Sequence, residues 1–272
     1  MTTPFMRIDP GVPDLGNDPL PLAPYTCPEF FQGERDNLFG KVWLNVARGC
    51  ELPNPGDFVV RPVEIRNASV IVARGQDGVI RAFHNVCSHR SAKVEWRKCG
   101  NTRLFSCPYH AWSYDTQGRL RGVPGEENFT GLDKAANGLT PIACDTWNDL
   151  VFVNFDEQPR QTLREYLGPL ATYGDYYPMQ DFDAWVHIDV GVMNTNWKIF
   201  LDAFQEVYHL NYLHRQTLTD TFKWRDNPDG EPAYFKTLGP HRTISLGYNP
   251  AQKGAPMATI AQRYADRKST RL

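Results

Sequence analysis

Apolar and polar positions change their spacing along the chain, and each change predicts a different kind of element. Prolines crowd residues 1–26 and predict an extended leader, because proline cannot continue a regular helix. Residues 29–47 have a helical period, which predicts an amphipathic helix that ends near Gly49. Its apolar positions are Phe31, Leu38, Phe39, Val42, Trp43 and Val46.

Between residues 57 and 156 the pattern changes to short β-rich runs separated by turn residues. Asp77-Gly78 and Gln117-Gly118 are typical of hairpin turns, and many short strands at this spacing predict a small antiparallel barrel or sandwich. The candidate strands are residues 58–60, 69–73, 79–86, 103–106, 112–114 and 150–155. Beyond residue 163 the pattern is mixed, with a predicted helix at 196–214 and predicted strands at 233–235 and 243–246.

Two cysteine–histidine pairs lie on loops that follow predicted strands. Cys87 and His89 form one pair, and Cys107 and His110 form the other. This donor set suits a Rieske-type [2Fe–2S] centre, which has two Cys on one iron and two His on the other, and it also suits a tetrahedral zinc ion. Small zinc fingers carry both histidines on a helix, and no predicted helix carries these. An iron–sulfur centre would imply electron transfer, whereas a closed zinc site would imply a structural role.

Composition narrows the class of protein. At 272 residues with 41% hydrophobic content, the chain can form one large or two modest cores. A net charge of −2 with interspersed signs predicts no nucleic-acid partner, and no apolar run approaches the roughly 20 residues that span a bilayer. The N-terminus lacks the basic start and apolar stretch of an export signal. The four other cysteines are scattered, which predicts reduced thiols in a cytoplasmic protein: Cys27, Cys50, Cys99 and Cys144.

A second candidate site lies in the predicted helix at 196–214. Glu206 and His209 share a helix face, and His214 reaches the same metal only if the helix ends or carries a π-bulge between the histidines. Two imidazoles and a carboxylate suit the facial triad of a non-haem iron(II) oxygenase. The alternative is a solvated helix with incidental histidines and a surface glutamate. An iron–sulfur electron donor in the same chain favours the iron site.

With these motifs, the chain resembles the large (α) subunit of the Rieske non-haem iron oxygenases, the aromatic-ring-hydroxylating family. The resemblance covers about residues 28–215 and rests on three motifs in the family's order. They are Cys-x-His-Arg at 87–90, Cys-Pro-Tyr-His-Ala-Trp at 107–112 and Asn-Trp-Lys…Glu-x-Tyr-His-x4-His at 196–214.

The resemblance implies an α+β fold, in which a β-rich Rieske [2Fe–2S] domain is inserted in a helix-grip, START-like catalytic domain that is incomplete here. The expected parts are an extended leader at 1–26, an N-terminal helix of the catalytic domain at 27–48, the Rieske domain at 49–157 and part of the catalytic domain at 158–272. The basic tail after about residue 265 resembles translated adapter sequence rather than the end of a domain.

The same resemblance assigns the four cluster ligands, with both cysteines of the two pairs on one iron and both histidines on the other. Respiratory Rieske proteins carry a further disulfide beside the cluster. Here Tyr109 and Ala92 stand where those cysteines would be expected. The chain therefore resembles the low-potential, ferredoxin-fed type.

At the mononuclear Fe(II), the resemblance assigns His209 and His214 as ligands and Glu206 as the acid that links a neighbouring subunit's cluster histidine to an iron-bound histidine. Ala203 replaces the Asn often found in this segment. The family's third ligand is an Asp further downstream. We therefore expect a truncated gene product that holds iron weakly, with Glu206 itself as the alternative third ligand. Other acids without motif support are Asp220, Asp226, Asp229 and Asp266.

The implied function is an oxygenase component that uses O2 and NAD(P)H-derived electrons, supplied by a separate reductase or a ferredoxin, to hydroxylate or dihydroxylate an aromatic or other apolar substrate. Most family members have Asp at position 206, and Glu206 is similar to the branch that oxidises quaternary amines. A carnitine- or betaine-like monooxygenase is therefore the first alternative. The second is an electron-transfer-only Rieske protein or a zinc-stabilised binding protein. A homotrimer, or an α3β3 assembly with a small subunit, is also implied.

Overall fold

The computed structural model describes residues 7–8, 18–175, 179–182, 193–205, 209, 213 and 234–245. The chain divides into two compact units, Cys27–Asp189 on the one hand and Met1–Thr26 with Val190–Leu272 on the other. Both helices and sheets are present, in agreement with the predicted α+β class.

The secondary structure consists of short elements. The α-helices are α1 (Ala23–Thr26), α2 (Pro28–Asn37), α3 (Leu163–Leu167) and α4 (Trp197–Ala203). The strands are β1 (Arg7–Ile8), β2 (Leu44–Arg48), β3 (Asp57–Val63), β4 (Ala68–Arg74), β5 (Ile80–His84), β6 (Cys99–Asn101), β7 (Leu104–Ser106), β8 (Ser113–Asp115), β9 (Leu120–Gly122), β10 (Pro141–Trp147), β11 (Leu150–Asn154), β12 (Tyr234–Leu238) and β13 (His241–Ser245). Short 3-10 helices cover Gly49–Glu51, Glu64–Arg66, Glu126–Asn128, Gly168–Asp175 and Met179–Asp181.

Two antiparallel sheets form the Cys27–Asp189 unit. The larger has seven strands in the order β2-β11-β10-β5-β4-β3-β6, and the smaller has the order β7-β8-β9. Along β4, Val70 and Val72 pack into one buried cluster, whereas Ile71 and Ala73 pack into another. The unbroken apolar run is therefore a strand buried on both faces, with side chains alternating between two cores.

The prediction of a β-rich segment is confirmed, and its six candidate strands correspond to β3, β4, β5, β7, β8 and β11. Both turn predictions are also confirmed. Gly78 between β4 and β5 has φ +79°, and Gly118 between β8 and β9 has φ +81°. Only glycine adopts this left-handed backbone without a steric cost, which is why the turns could be read from the sequence.

The predicted helix at 29–47 is wrong in its second half, because α2 ends at Asn37 and the chain then forms β2. Val151 and Val153 of β11 pair with β2, and Ala47 is buried against the sheet core. Trp43 joins a separate cluster with Leu163 of α3. The apolar residues in the second half of the predicted helix thus pack into two different cores. Pairing of β2 with a strand distant in sequence outweighs the helical tendency of the local apolar spacing.

The leader prediction also needs a correction, because Ala23–Thr26 forms the short helix α1. Pro24 lies in its first turn, where the missing N–H would have had no helical partner. In the same unit, β1, β12 and β13 form a three-stranded sheet, and the predicted strands at 233–235 and 243–246 overlap β12 and β13.

The predicted helix at 196–214 is confirmed in its first part. Asn196 caps α4, accepting a hydrogen bond from the backbone N–H of Lys198, and most residues after 205 lie outside the described part of the chain. Tyr25 of α1 donates a hydrogen bond to Asp202 of α4 over 2.8 Å. Among the described residues, no helix is long and apolar enough to cross a bilayer.

Candidate metal centre

The two cysteine–histidine loops have the same backbone conformation. In each, the cysteine N–H donates to the carbonyl five residues on over 2.8 Å, and the N–H of the residue four positions on donates to the cysteine carbonyl over 2.9 Å. That residue is Ser91 after Cys87 and Ala111 after Cys107, with φ +54° and +57°. A left-handed non-glycine residue costs about 1 kcal/mol, so two of them indicate loops held in place by their surroundings.

The loops bring the predicted ligands together as a sulfur pair and an imidazole pair. Cys87 and Cys107 are each 2% exposed and belong to the same buried cluster. The His89 and His110 rings have centroids 4.6 Å apart. His89 also stacks on buried Trp112 at 4.7 Å with an angle of 10° between the planes. The Trp of the Cys-Pro-Tyr-His-Ala-Trp motif therefore fixes the orientation of the histidine in the other loop.

A small polar network surrounds the first cysteine. The Tyr114 hydroxyl lies 3.1 Å from Sγ of Cys87 and 2.9 Å from Oγ of Ser88, and it accepts from the Ser88 N–H over 3.2 Å. Ser88 Oγ in turn donates to the Asn137 carbonyl over 2.7 Å. Burial and the neighbouring Cys87 raise the pKa of Tyr114 to about 12. Tyr114 therefore remains a neutral hydroxyl at any working pH.

Burial and neighbouring charged or polar groups shift the pKa values of two of the predicted ligands. Desolvation lowers the pKa of His89, and the nearby His110 and Arg90 lower it further. The neutral imidazole, which is the metal-binding form, is thereby favoured. Burial raises the pKa of the Cys107 thiol, and the adjacent Cys87 adds to this, while backbone amides of its own loop oppose it. A cationic metal centre would reverse this preference and hold both thiols as thiolates.

These residues fit a [2Fe–2S] cluster in their donor types and in their arrangement. Nδ1 of His89 is buried and has no hydrogen-bond partner, so it is available to a metal. A sulfur pair beside an imidazole pair suits the two irons of such a cluster, one with two Cys ligands and the other with two His ligands.

Only one of the residues predicted at the mononuclear iron is described. His209 is half-buried, and its carbonyl accepts a hydrogen bond from the Leu213 N–H over 2.8 Å. Glu206 and His214 lie outside the described residues, as do the alternative acids at 220, 226, 229 and 266. The ligand assignment at this iron therefore stays a prediction.

Sequence reasoning missed Asn85, which is 1% exposed and lies two residues before Cys87. Its Oδ1 accepts from the Val94 and Glu95 N–H groups over 3.1 and 2.8 Å, and its Nδ2 donates to the Glu95 carbonyl over 2.7 Å. Asn85 thus connects the end of β5, which precedes the first ligand loop, to the segment that follows the same loop. The local sequence carried no distinct signal, because Asn85 follows the polar residues Arg81 and His84 in the same run.

Comparison with known proteins identifies both parts of the chain. Residues 42–141 match the family model of the Rieske [2Fe-2S] domain, and residues 176–271 match that of the ring hydroxylating alpha subunit (catalytic domain). The chain belongs to the Rieske oxygenase large subunits. The expected resemblance is confirmed, and with it the expectation of a [2Fe–2S] cluster and a mononuclear iron.

Relatives of this Rieske oxygenase chain act on different substrates. It is 33% identical to the glycine betaine monooxygenase oxygenase subunit of Chromohalobacter salexigens over 80% of this chain and 48% of that protein. It is 32% identical to the large oxygenase component of the naphthalene 1,2-dioxygenase system of Pseudomonas aeruginosa over 70% of this chain and 43% of that protein. A crystal structure of a quaternary ammonium Rieske monooxygenase matches with a TM-score of 0.76 at 26% identity, covering 85% of this chain and 62% of that one. The chain spans about half the length of the curated relatives it matches.

Proposed function

We propose that this chain supplies the cluster and the iron site of an oxygenase component. The complete protein would use O2 and NAD(P)H-derived electrons, delivered through a separate reductase or a ferredoxin, to hydroxylate or dihydroxylate an organic substrate. The observation that supports this most strongly is the pairing of two buried cysteines with two adjacent histidines in matched loops. The catalytic-domain match in the same chain supports an oxygenase rather than an electron carrier.

The chain's own residues would hold and orient the cluster, which supplies one-electron transfer when bound. Cys87 and Cys107 would bind one iron, and His89 and His110 the other. Stacking on Trp112 would keep His89 in its binding orientation. The half-buried position of both loops, between core and surface, suits a centre that must accept electrons from outside and deliver them onward.

At the second site, we assign His209 and His214 as ligands of the mononuclear iron, which supplies oxygen activation when bound. Glu206 would position an iron-bound histidine relative to a neighbouring subunit's cluster. Electron transfer between subunits implies a homotrimer or an α3β3 assembly, which analytical ultracentrifugation would distinguish. The six cysteines, all of which are described, form no disulfide with one another, which suits a reducing, cytoplasmic compartment.

Two substrate classes are proposed. An aromatic or similarly apolar substrate follows from the resemblance to ring-hydroxylating enzymes, and naphthalene dioxygenase is among the relatives. A quaternary amine is the second candidate, favoured by Glu206 and by the betaine monooxygenase relative. A quaternary ammonium group would need an aromatic cage in the pocket, whereas a ring would need only an apolar one.

The first experiment identifies the metal centre. Protein purified without oxygen should be brown, contain acid-labile sulfide and give a Rieske-type EPR signal after reduction by dithionite. Stoichiometric zinc without sulfide would contradict the proposal. Cys107→Ser should abolish the signal, whereas Cys50→Ser, at an exposed non-ligand position, should retain it.

The second experiment tests oxygen chemistry. With the complete protein, a reductase, NADH and a panel of aromatic compounds and quaternary amines, one class should stimulate oxygen consumption together with formation of a hydroxylated or dealkylated product. His209→Ala should lose at least about 100-fold of this activity and retain the EPR signal. His241→Ala, in the same unit, is the matched control. A cluster that accepts electrons, without substrate-dependent oxygen uptake, would support the electron-transfer-only alternative.

A further inference from the structure

The segment from Arg90 to Lys98 directly follows the first ligand loop and is rich in basic and aromatic side chains. It carries four basic residues and one acidic residue, in a chain whose net charge is −2. Its central side chain, Trp96, is 68% exposed, more than any other large hydrophobic side chain described in the Cys27–Asp189 unit. We refer to Arg90, Lys93, Trp96 and Lys98 as the Trp96 patch.

The centre of the Trp96 patch is held in place by contacts within the segment and by the hydrogen bonds beneath it. Nζ of Lys93 lies 4.7 Å from the centre of the Trp96 ring, in a cation–π contact. Arg97 donates from Nε and Nη2 to the Glu95 carboxylate over 3.0 and 2.7 Å, so the one acidic side chain of the segment is already neutralised. The three hydrogen bonds to Asn85 hold the backbone beneath the patch. A surface ordered before binding loses little entropy when a partner docks.

The same segment covers the buried end of the cluster site. Val94, two residues before Trp96, is 3% exposed and belongs to the same buried cluster as Cys87 and Cys107. The Cys87 N–H also donates to the Ala92 carbonyl over 2.8 Å. A protein docked on Trp96 would therefore sit on the segment that packs against the core holding Cys87 and Cys107.

We propose that the Trp96 patch is the docking surface for an acidic electron-transfer protein that reduces the cluster. The inference rests on the proposed function and adds the location and charge of the donor's contact. Positive charge would steer an acidic partner to the site, and a solvent-exposed tryptophan would anchor it there. One electron passes from the reduced donor centre to the oxidised cluster, so the donor is oxidised by one electron, the cluster is reduced by one, and no bond forms or breaks.

An acidic plant-type [2Fe–2S] ferredoxin is a suitable probe, because its potential lies below that of Rieske centres and reduction is downhill. Anaerobic stopped-flow measurements give the second-order rate of cluster reduction, and calorimetric titration with oxidised ferredoxin gives the affinity without turnover.

For the wild type we expect the reduction rate and the affinity to fall as salt is raised from about 20 to 200 mM. The variant Lys93→Glu/Lys98→Glu should be reduced at least about 10-fold more slowly at low salt, with a weaker salt dependence. Trp96→Ala should weaken binding while keeping the salt dependence.

The matched control is Arg160→Glu/Arg164→Glu, which reverses two exposed charges elsewhere in the unit and should change the rate less than 3-fold. Dithionite should reduce the cluster of every variant to the same final extent and give the same Rieske EPR signal, which shows that the cluster is intact. If the charge-reversal protein does not fold, Lys93→Gln/Lys98→Gln replaces it.

Equal rates and equal affinities in the wild type and the patch variants would overturn the proposal. A change of sedimentation coefficient in the patch variants, with unchanged ferredoxin kinetics, would also overturn it and would assign the surface to contacts between copies of this chain. Absence of a Rieske EPR signal in the wild type would instead contradict the proposed function itself, so the two failures are distinguishable.

Discussion

Tyr114 connects the chemistry of the cluster site to the fold through one hydroxyl group. It is fully buried, and its hydroxyl lies 3.1 Å from Sγ of Cys87. Hydrogen bonds to sulfur ligands stabilise the reduced cluster and raise its potential. Tyr114→Phe should therefore lower the reduction potential of the cluster and decrease stability by about 1 kcal/mol. An EPR-monitored redox titration measures the potential.

The matched control for this change is Tyr109→Phe, which removes a hydroxyl from a side chain that is 59% exposed on the second ligand loop. It should leave the potential of the cluster close to that of the wild type. An equal shift in both variants would show that the Tyr114 hydroxyl has no specific effect.

Asn85 shows how one buried polar residue can set the position of a surface. Asn85→Ala would leave the Val94 N–H, the Glu95 N–H and the Glu95 carbonyl without their partner. Each unsatisfied group costs about 1–3 kcal/mol, so a loss of roughly 3 kcal/mol is expected once relaxation and water are allowed for. Urea denaturation followed by tryptophan fluorescence measures it. Asn101→Ala, at an exposed position of β6, is the control and should cost less than about 1 kcal/mol.

At the scale of elements, the two hairpin turns have the same backbone conformation but different surroundings. A Cβ on Gly118 would lie 2.9 Å from Cδ1 of buried Phe83, whereas a Cβ on Gly78 would meet no atom within 4 Å. Gly78→Ala should cost about 1 kcal/mol from backbone strain alone. Gly118→Ala should cost about 2–4 kcal/mol, because overpacking is added to the strain. Similar unfolding midpoints for the two variants would contradict this explanation.

The β4–β5 hairpin also contains a pH-dependent ion pair. Arg81 hydrogen-bonds both carboxylate oxygens of Asp77 and lowers the pKa of that carboxyl to about 2. Because this pKa lies below the ordinary carboxyl value of 3.8, the ion pair stabilises the folded protein above about pH 4. This stabilisation is lost as the pH falls toward 2.

The thermal unfolding midpoints of wild type and Asp77→Asn should accordingly differ by a constant amount above pH 5 and converge below pH 4. In an Arg81→Gln background, Asp77→Asn should produce a much weaker convergence, because the largest cause of the lowered pKa of Asp77 is gone and only backbone hydrogen bonds such as that from the Val79 N–H remain. Equal convergence in both backgrounds would exclude Arg81 as the main cause.

At the scale of the whole molecule, the cluster should couple to the stability of the Cys27–Asp189 unit. Both cysteines and Trp112 belong to one of its buried cores, so the centre binds the folded form and not the unfolded chain. Calorimetry should show a lower unfolding midpoint for Cys107→Ser than for the loaded wild type, with Cys50→Ser unchanged. Equal midpoints for the cluster-free and cluster-loaded proteins would show that the site is preformed without any stabilising contribution from the metal.

Some features were determined by the sequence alone, because they depend on residue type and short spacing. The predicted donor set of Cys87, His89, Cys107 and His110 and the left-handed turns at Gly78 and Gly118 belong to this group, since each depends on residue types within short motifs. The family assignment also came from such motifs, and the comparisons confirmed it.

Other features were decided only by the tertiary structure, because they join residues that are distant along the chain. β2 replaces the second half of a predicted helix since β11, more than a hundred residues later, offers a pairing edge. The approach of Tyr114 to Cys87 and the stacking of Trp112 on His89 likewise depend on two loops meeting. Local periodicity carries no information on such contacts. The sequence therefore predicted the ligands of the cluster, and the fold placed Tyr114 and Trp112 beside them.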